Sequence, residues 1–140
     1  MNLKLEGKNV IITGGSDGIG KETARIMAEE GANVIIFARN IENLNKTKDS
    51  IKGITGKEVD TYSVDVKNEK NVKETVAKVV EKYGNIDILV NNAGTSSAHP
   101  IMNITDEIMN EDLGTKLFGA IYMIQAVVPS MKTNKKGSIV

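Results

Sequence analysis

VIITGGSDGIG, residues 10–20, joins an apolar run to a cluster of glycines and then to a helical pattern. Glycine loses much backbone entropy on folding, so four glycines within seven positions indicate a turn that something approaches closely. A strand, a glycine-rich turn and a helix start together present backbone N–H groups to an anion such as a diphosphate. The alternative is a tight turn without a ligand, which the strand before it and the amphipathic helix after it disfavour. The candidate ligand-binding residues of this segment are Gly14, Ser16, Asp17, Gly18, Ile19 and Gly20.

The rest of the chain alternates between strand and helix patterns. Strands are predicted at 8–13, 33–37, 57–64 and 86–90, with one more beginning at Gly137, and helices at 19–31, 41–52, 69–83 and 105–131. The stripes of the first two helices are expected to contain Ile19, Thr23, Ile26 and Met27, and Ile41, Leu44, Lys48 and Ile51. This order predicts one α/β domain over 1–140 with a doubly wound parallel sheet. Its ligands are expected at the carboxyl ends of the strands, where strand order reverses.

Composition excludes several classes of partner. The 140 residues contain 18 lysines and arginines and 18 aspartates and glutamates, so neither nucleic acid nor a membrane is expected as a partner. There is no cysteine, which removes disulfides and thiolate chemistry, and the single histidine, His99, makes a metal site unexpected. Because no signal core and no run of about 20 apolar residues is found, we expect a cytoplasmic protein.

A second motif, Asn91-Asn92-Ala93-Gly94, ends the fourth predicted strand, about 70 residues after Thr13-Gly14-x-x-x-Gly18-x-Gly20. Together the two motifs resemble the short-chain dehydrogenase/reductase family. The resemblance extends over the whole chain, through Asp65-Val66, Pro100 and the last residues. It implies a Rossmann-type fold that binds a nicotinamide dinucleotide. It also implies that Asp65 hydrogen-bonds the adenine ring with Val66 beside it, and that Asn91, Ala93 and Gly94 belong to a segment lining the cofactor.

The end of the second strand bears on which dinucleotide is bound. An acid about 20 residues past the glycines would bind the ribose hydroxyls of NAD, whereas an arginine would accommodate the 2′-phosphate of NADP. The sequence there is Phe37-Ala38-Arg39-Asn40, and Arg39 is capable of bidentate phosphate binding. NADP is therefore the expected cofactor. NAD is the second choice, since Arg39 could equally be a solvated loop residue or stack on adenine.

The catalytic groups that the resemblance implies are a serine and a Tyr-x-x-x-Lys motif, which serve hydride transfer to a carbonyl or from an alcohol substrate. No such motif is present, because the positions four after the three tyrosines hold Val66, Asp87 and Ala126. The family places these groups after the strand that begins at Gly137, so we expect the N-terminal, cofactor-binding part of an enzyme, and no catalytic residue is assigned. Ser96 and Ser97 are interpreted as ordinary loop residues.

Lys116 departs from the family pattern, which usually has an asparagine there to support a relay water. Lysine cannot accept a hydrogen bond as the asparagine carbonyl does, although Lys116 could simply point to solvent.

The predicted helix over 106–131 is apolar on nearly every face, with one stripe at Leu113, Leu117, Ile121, Ile124, Val128 and Met131. A helix of this kind should be buried nearly all round, so a homo-oligomer through this helix is expected. Two hypotheses of other classes stay open: a non-catalytic dinucleotide-binding or interaction module, and a fragment of an interrupted gene. The identity of the substrate is not assigned.

Overall fold

The computed structural model describes residues 1–95 and 98–140, where strands and helices alternate in the predicted order. The strands are β1 (Asn9–Thr13), β2 (Asn33–Ala38), β3 (Asp60–Ser63), β4 (Ile88–Val90) and β5 (Ser138–Ile139). The helices are α1 (Gly18–Glu29), α2 (Ile41–Thr55), α3 (Glu69–Tyr83), α4 (Asp106–Leu113) and α5 (Gly119–Thr133). A 3-10 turn at Ile101–Asn103 precedes α4, and a π-helical segment at Gly114–Phe118 joins α4 to α5.

The five strands form one parallel sheet in the order β3-β2-β1-β4-β5. The chain moves outward from β1 to β3 and then places β4 on the other side of β1. The predicted doubly wound, Rossmann-type sheet is therefore confirmed, with its strand order reversing between β1 and β4. Thr13 pairs with Phe37, and Ile12 pairs with Val90, so β1, β2 and β4 end close to one level. A ligand-binding crevice is expected above these ends.

Alternation of side chains along the strands divides the apolar core between the two faces of the sheet. One face packs on α1 and α2 through a cluster that includes Val10, Ile12, Ala24, Ala28, Val34, Ile36, Leu44 and Ile51. The other packs on α3 and α5 through a cluster that includes Ile11, Ile35, Phe37, Val72, Val76, Leu89, Met123 and Val127. Both faces of the central strands are covered, which explains why these strands read as continuous apolar runs.

The predicted helix stripes are wrong at their first residues. Ile19 and Ile41 were expected against the sheet, but they are 81% and 61% exposed. The buried residues of α1 are Gly20, Ala24 and Ala28, and those of α2 are Leu44, Thr47 and Ile51. Small residues let α1 approach the sheet closely, and a search for large apolar residues does not detect such a face. Strand bounds differ too: β3 begins at Asp60 and not at 57, and β4 begins at Ile88 and not at 86.

The long helix predicted over 105–131 is interrupted by the π-helical segment, in which the N–H of Gly119 donates to the carbonyl of Gly114. A Cβ on Gly119 would lie 2.6 Å from Cγ2 of Val66, and one on Gly114 would lie 3.1 Å from Cδ of Lys67. The helix therefore departs from α geometry where its backbone packs most closely against the loop after β3.

Much of the stripe predicted for this helix faces outward. Leu117 and Phe118 are each 48% exposed, and Leu113 and Ile121 are exposed as well. The buried residues are Gly114, Thr115, Gly119, Met123, Val127 and Met131. Within the ranges that the structure describes, no helix combines the length and the apolar composition needed to cross a bilayer.

Candidate functional site

The glycine turn between β1 and α1 forms one wall of a groove at the carboxyl ends of the strands. Gly14 and Gly18 have φ angles of +65° and +50°, in the left-handed region that glycine adopts at little cost. A Cβ on Gly14 would lie 2.9 Å from Cα of Ala93, so Gly14 marks a close contact between the turn and the segment after β4. A Cβ on Gly18 would meet no atom of the described residues within 4 Å. Packing explains the glycine at position 14 but not the one at position 18.

Hydrogen bonds join the glycine turn to the Asn91–Gly94 segment. The Nδ2 of Asn92 donates to the carbonyl oxygen of Gly14 at 3.0 Å. The Oγ1 of Thr13 accepts from the backbone N–H groups of Asn92 and Ala93 at 3.1 and 3.0 Å. A Cβ on Gly20 would overlap the Asn92 side chain, so that glycine is needed for this junction. The two sequence motifs thus form one unit at the base of the groove.

The N-terminus of α1 opens onto the groove. Asp17 is its N-cap, and Oδ1 of Asp17 accepts from the backbone N–H of Gly18 at 2.8 Å. Thr47 of α2 fixes the turn by donating from Oγ1 to the carbonyl of Ser16 at 2.9 Å. Free N–H groups were predicted at this helix start, and that prediction is wrong for Gly18, whose N–H is bonded to Asp17. A carboxylate stands beside the N–H groups that were predicted to bind an anion.

The groove encloses a cavity of about 250 Å³ that brings together eight of the predicted residues. These are Gly14, Ser16, Asp17, Arg39, Asp65, Val66, Ala93 and Gly94. Gly18, Ile19 and Gly20 follow directly at the start of α1, and Asn91 lines a smaller neighbouring cavity together with Thr13 and Lys116. The predicted residues therefore share one region of the fold, while their roles in binding stay predictions.

The side of the groove formed by β2 and β3 contains the predicted adenosine-binding residues. Asp65 is held in place because its Oδ1 accepts from the N–H of Lys67 at 3.0 Å, and its own N–H donates to Asn71 at 3.2 Å. Val66 is buried against the helix backbone at Gly119. The Arg39 side chain is 58% exposed, and its Nη1 lies 3.8 Å from Oε1 of Glu111 on α4. A guanidinium is thus available at the rim of this side.

The opposite side of the groove lies between the segment after β4 and the start of the π-helical segment. The Lys116 carbon chain packs beside Gly94, with Cε 3.7 Å from where a Cβ would stand. Its Nζ lies 3.4 Å from Oδ2 of Asp112, whose Oδ1 accepts from Thr95 at 2.7 Å. Lys116 therefore pairs with Asp112 beside Gly94, while its side chain stays 52% exposed to solvent. The predicted loop residues Ser96 and Ser97 lie outside the described residues.

The largest shift of a tyrosine pKa occurs away from the groove. Burial, reinforced by the 2.9 Å hydrogen bond that Tyr83 donates to Asp60, raises the pKa of Tyr83 to about 12. Burial also raises the pKa of Asp60, but hydrogen bonds from Lys82 and Tyr83 outweigh it, so the net shift is downward. Asp60 starts β3 and Tyr83 ends α3, so this cluster ties helix to strand at the opposite end of the sheet from the groove. No group of side chains suited to holding a metal ion is found in residues 1–95 and 98–140.

Sequence comparison decides the family. Residues 8–140 match the family model described as short chain dehydrogenase. The chain belongs to the short-chain dehydrogenase family. A 3-oxoacyl-(acyl-carrier-protein) reductase of Thermotoga maritima is 41% identical over 138 residues, which are 99% of this chain and 56% of the relative. A reductase of the same name from Chlamydia pneumoniae is 36% identical over all of this chain and 56% of the relative.

Solved structures of short-chain dehydrogenases have the same fold. The L-sorbose reductase of Gluconobacter frateurii, complexed with NADPH and L-sorbose, superposes with a TM-score of 0.90 at 35% identity, covering 99% of this chain and 53% of that one. An NAD+-bound xylitol dehydrogenase superposes with a TM-score of 0.91 at 35% identity, covering 97% and 52%. The chain spans about half the length of the relatives it matches, and the family resemblance predicted from its motifs is confirmed.

Several residues of the groove in this short-chain dehydrogenase were not predicted from sequence. Asn40, Asn43, Thr95 and Thr115 also line the cavity. Asn40 is the N-cap of α2, and its side-chain oxygen accepts a hydrogen bond from the backbone N–H of Asn43. An N-cap signal was therefore present at Asn40, directly after Arg39, but it predicts a helix start and not a binding role. Thr115 lines the cavity from the π-helical segment, which packs against the loop after β3.

Proposed function

We propose that this chain is the cofactor-binding part of an NAD(P)-dependent oxidoreductase and that it binds NADP(H) in the groove between α1 and the carboxyl ends of the strands. The observation that carries the proposal is the open space beside Gly18 at the N-terminus of α1, whereas a Cβ added at Gly14, Gly15 or Gly20 would be crowded by other atoms of the protein. A diphosphate needs close approach to backbone N–H groups, and this is where the chain leaves room for it.

The residues around the groove fit the parts of such a cofactor. The turn from Gly14 to Gly20 would hold the diphosphate, and Asp65 with Val66 would hold the adenine. The segment with Asn91, Ala93 and Gly94 would line the nicotinamide half. When bound, the nicotinamide gives or accepts a hydride, and the chain's own residues bind and orient it.

The preference for NADP(H) over NAD(H) rests on Arg39. Its guanidinium stands at the rim of the groove on the adenosine side and is more than half exposed, so a 2′-phosphate can reach it. Ala38 before it carries no carboxylate that would bind ribose hydroxyls or repel a phosphate.

The substrate class we propose is a small carbonyl compound or alcohol. It is supported by the names of two structural neighbours, an L-sorbose reductase and a xylitol dehydrogenase, while the carbonyl chemistry is also in the name of the 3-oxoacyl-(acyl-carrier-protein) reductase. Because the sequence contains no Tyr-x-x-x-Lys, we expect the 140-residue chain to bind the dinucleotide without turning substrate over. Carbonyl reduction by the purified chain would show that another group supplies the proton.

We also propose that the chain works as a homo-oligomer in the cytoplasm. Leu117, Phe118 and Ile121 expose apolar surface on one side of α5 and the π-helical segment, and a second copy would cover it. The absence of cysteine permits a reducing compartment without requiring one, so it is compatible with the proposed cytoplasmic location.

Calorimetric titration with NADPH and NADH tests the proposed binding. The chain is expected to bind NADPH more tightly than NADH, and Arg39→Ala should weaken NADPH by about tenfold while changing NADH little. Arg25→Ala removes the same charge from α1, where Arg25 pairs with Glu22 and Glu29 instead of facing the groove, and serves as the matched control. An unchanged NADPH-to-NADH ratio in Arg39→Ala would contradict the assignment of NADP(H). Failure of the unsubstituted chain to bind either dinucleotide would contradict the whole proposal.

A further inference from the structure

Glu111 of α4 contacts two cationic side chains from two different loops. Its Oε1 and Oε2 lie 2.8 and 2.7 Å from Nζ of Lys67, in the loop after β3. Its Oε1 also lies 3.8 Å from Nη1 of Arg39, at the end of β2. Nζ of Lys67 and Nη1 of Arg39 therefore both lie near the same carboxylate oxygen, Oε1 of Glu111.

Arg39 stands at the adenosine side of the groove, and its ion pair with Glu111 places Glu111 and Lys67 beside that side. Arg39 and Asp65 line the cavity, and the backbone N–H of Lys67 donates to the Asp65 side chain. The Lys67 side chain also lies close to the helix at Gly114, where an added Cβ would be 3.1 Å from Cδ of Lys67. The ion pairs thus connect α4 to the loops after β2 and β3 beside the position where the adenosine ribose is proposed to lie.

We propose that Glu111 is a specificity-determining residue that occupies the 2′-phosphate site of the free protein. This inference rests on the proposed binding of NADP(H). Lys67 and Arg39 converge on one oxygen, which is the arrangement that a phosphate group would also accept. The 2′-phosphate of NADP(H) displaces the Glu111 carboxylate and takes over both cations. NAD(H) has no group that could do so, and it binds with the ion pairs intact.

The exposure of the pairs allows this exchange. The Lys67 side chain is 28% exposed and those of Arg39 and Glu111 are about half exposed. Ion pairs in such positions contribute little to stability, because water and salt screen them. A phosphate that carries nearly two negative charges competes well against one carboxylate for the same cations. Only NADP(H) has to break the ion pairs of Glu111, so the free-energy cost of breaking them weakens NADP(H) binding alone. Glu111 therefore lowers the preference for NADP(H) over NAD(H) that Arg39 and Lys67 create.

Glu111→Gln tests the competition, with Glu107→Gln as the matched control. Glu107 lies one turn earlier on α4, is exposed, and loses the same charge on substitution. Titration of each folded protein with NADPH and NADH gives the readout. Glu111→Gln should tighten NADPH binding about fivefold and leave NADH within about twofold, whereas Glu107→Gln should change neither by more than about twofold.

Lys67→Gln provides a second variant with the opposite expected sign. It removes one of the two cations, so NADPH binding should weaken about threefold while NADH binding is retained. Equal effects of Glu111→Gln and Glu107→Gln would overturn the inference and leave only a general charge effect. If the unsubstituted chain binds NADPH and neither Glu111→Gln nor Lys67→Gln changes that affinity, this inference is overturned and the proposed function stands. Absence of NADPH binding by the unsubstituted chain would overturn the proposed function as well.

Discussion

Replacing Gly18 with alanine should separate a binding role of this glycine from a structural one. The φ angle of +50° places residue 18 in the left-handed region, which costs an L-amino acid about 1 kcal/mol. No described atom lies within 4 Å of the new Cβ, so no steric cost is added within the protein. Gly18→Ala should therefore lower the free energy of unfolding by about 1 kcal/mol and still fold. The methyl group would stand where a diphosphate must approach the backbone, and NADPH affinity should fall by at least about tenfold.

Gly56→Ala is the matched control for this experiment. Gly56 is the C-cap of α2, with a φ angle of +70° and no described atom within 4 Å of an added Cβ, and it does not line the groove. Its substitution should cost the same stability, measured by urea denaturation, without changing NADPH binding measured by calorimetry. If Gly18→Ala and Gly56→Ala bind NADPH equally well, the space beside Gly18 is not a diphosphate site and the reasoning is refuted.

Three further predictions concern charge, acid stability and assembly. Asp17→Asn should keep the N-cap of α1 but remove a negative charge beside the proposed diphosphate position. Calorimetry should then show NADPH and NADH both binding about threefold more tightly, and tighter binding of only one of them would contradict this. The pKa of Asp60 lies below its ordinary 3.8, so its contribution is present above that pH and is lost as the pH falls through the lowered value. Asp60→Asn should thus cost about 1 kcal/mol in urea denaturation at pH 7, and the difference should shrink below about pH 3.8; a constant difference would exclude the ionised carboxylate as its cause. Leu117→Glu should shift the chain toward the monomer in light scattering, whereas Ile54→Glu, at another exposed apolar position on α2, should not; equal effects would place the interface elsewhere.

The fold was predictable because its signals are local. Apolar strand runs, glycine turns and helix periodicity follow one another closely, and alternation of this kind requires a parallel sheet with helices on both faces. Which face of α1 packs on the sheet was not predictable, because it depends on how closely Gly20, Ala24 and Ala28 let the helix approach the sheet. Large apolar residues such as Ile19 gave a misleading stripe.

The candidate site was predictable only where residues belong to a motif. The turn around Gly14 and the segment around Ala93 were found because each has a recognisable pattern, and the structure places them in contact. Glu111 and Lys67 have no pattern in sequence and are 44 residues apart. Their contact exists only because α4 packs beside the loop after β3, and no local signal reports such a long-range pairing.

The π-helical turn at Gly114–Phe118 holds one residue more than an ordinary α-helical turn. A one-residue deletion within 114–118 would let the chain continue as an α-helix, which has better backbone hydrogen bonding. Because the extra residue is taken up within a single turn, this deletion would leave α4 and α5 in about their present relative orientation. A one-residue deletion within α5 would instead rotate α4 by about 100° relative to the rest of α5, the angle that one residue spans in an α-helix, and would carry Glu111 away from Lys67 and Arg39. Chain length should therefore tolerate more variation within 114–118 than within α5.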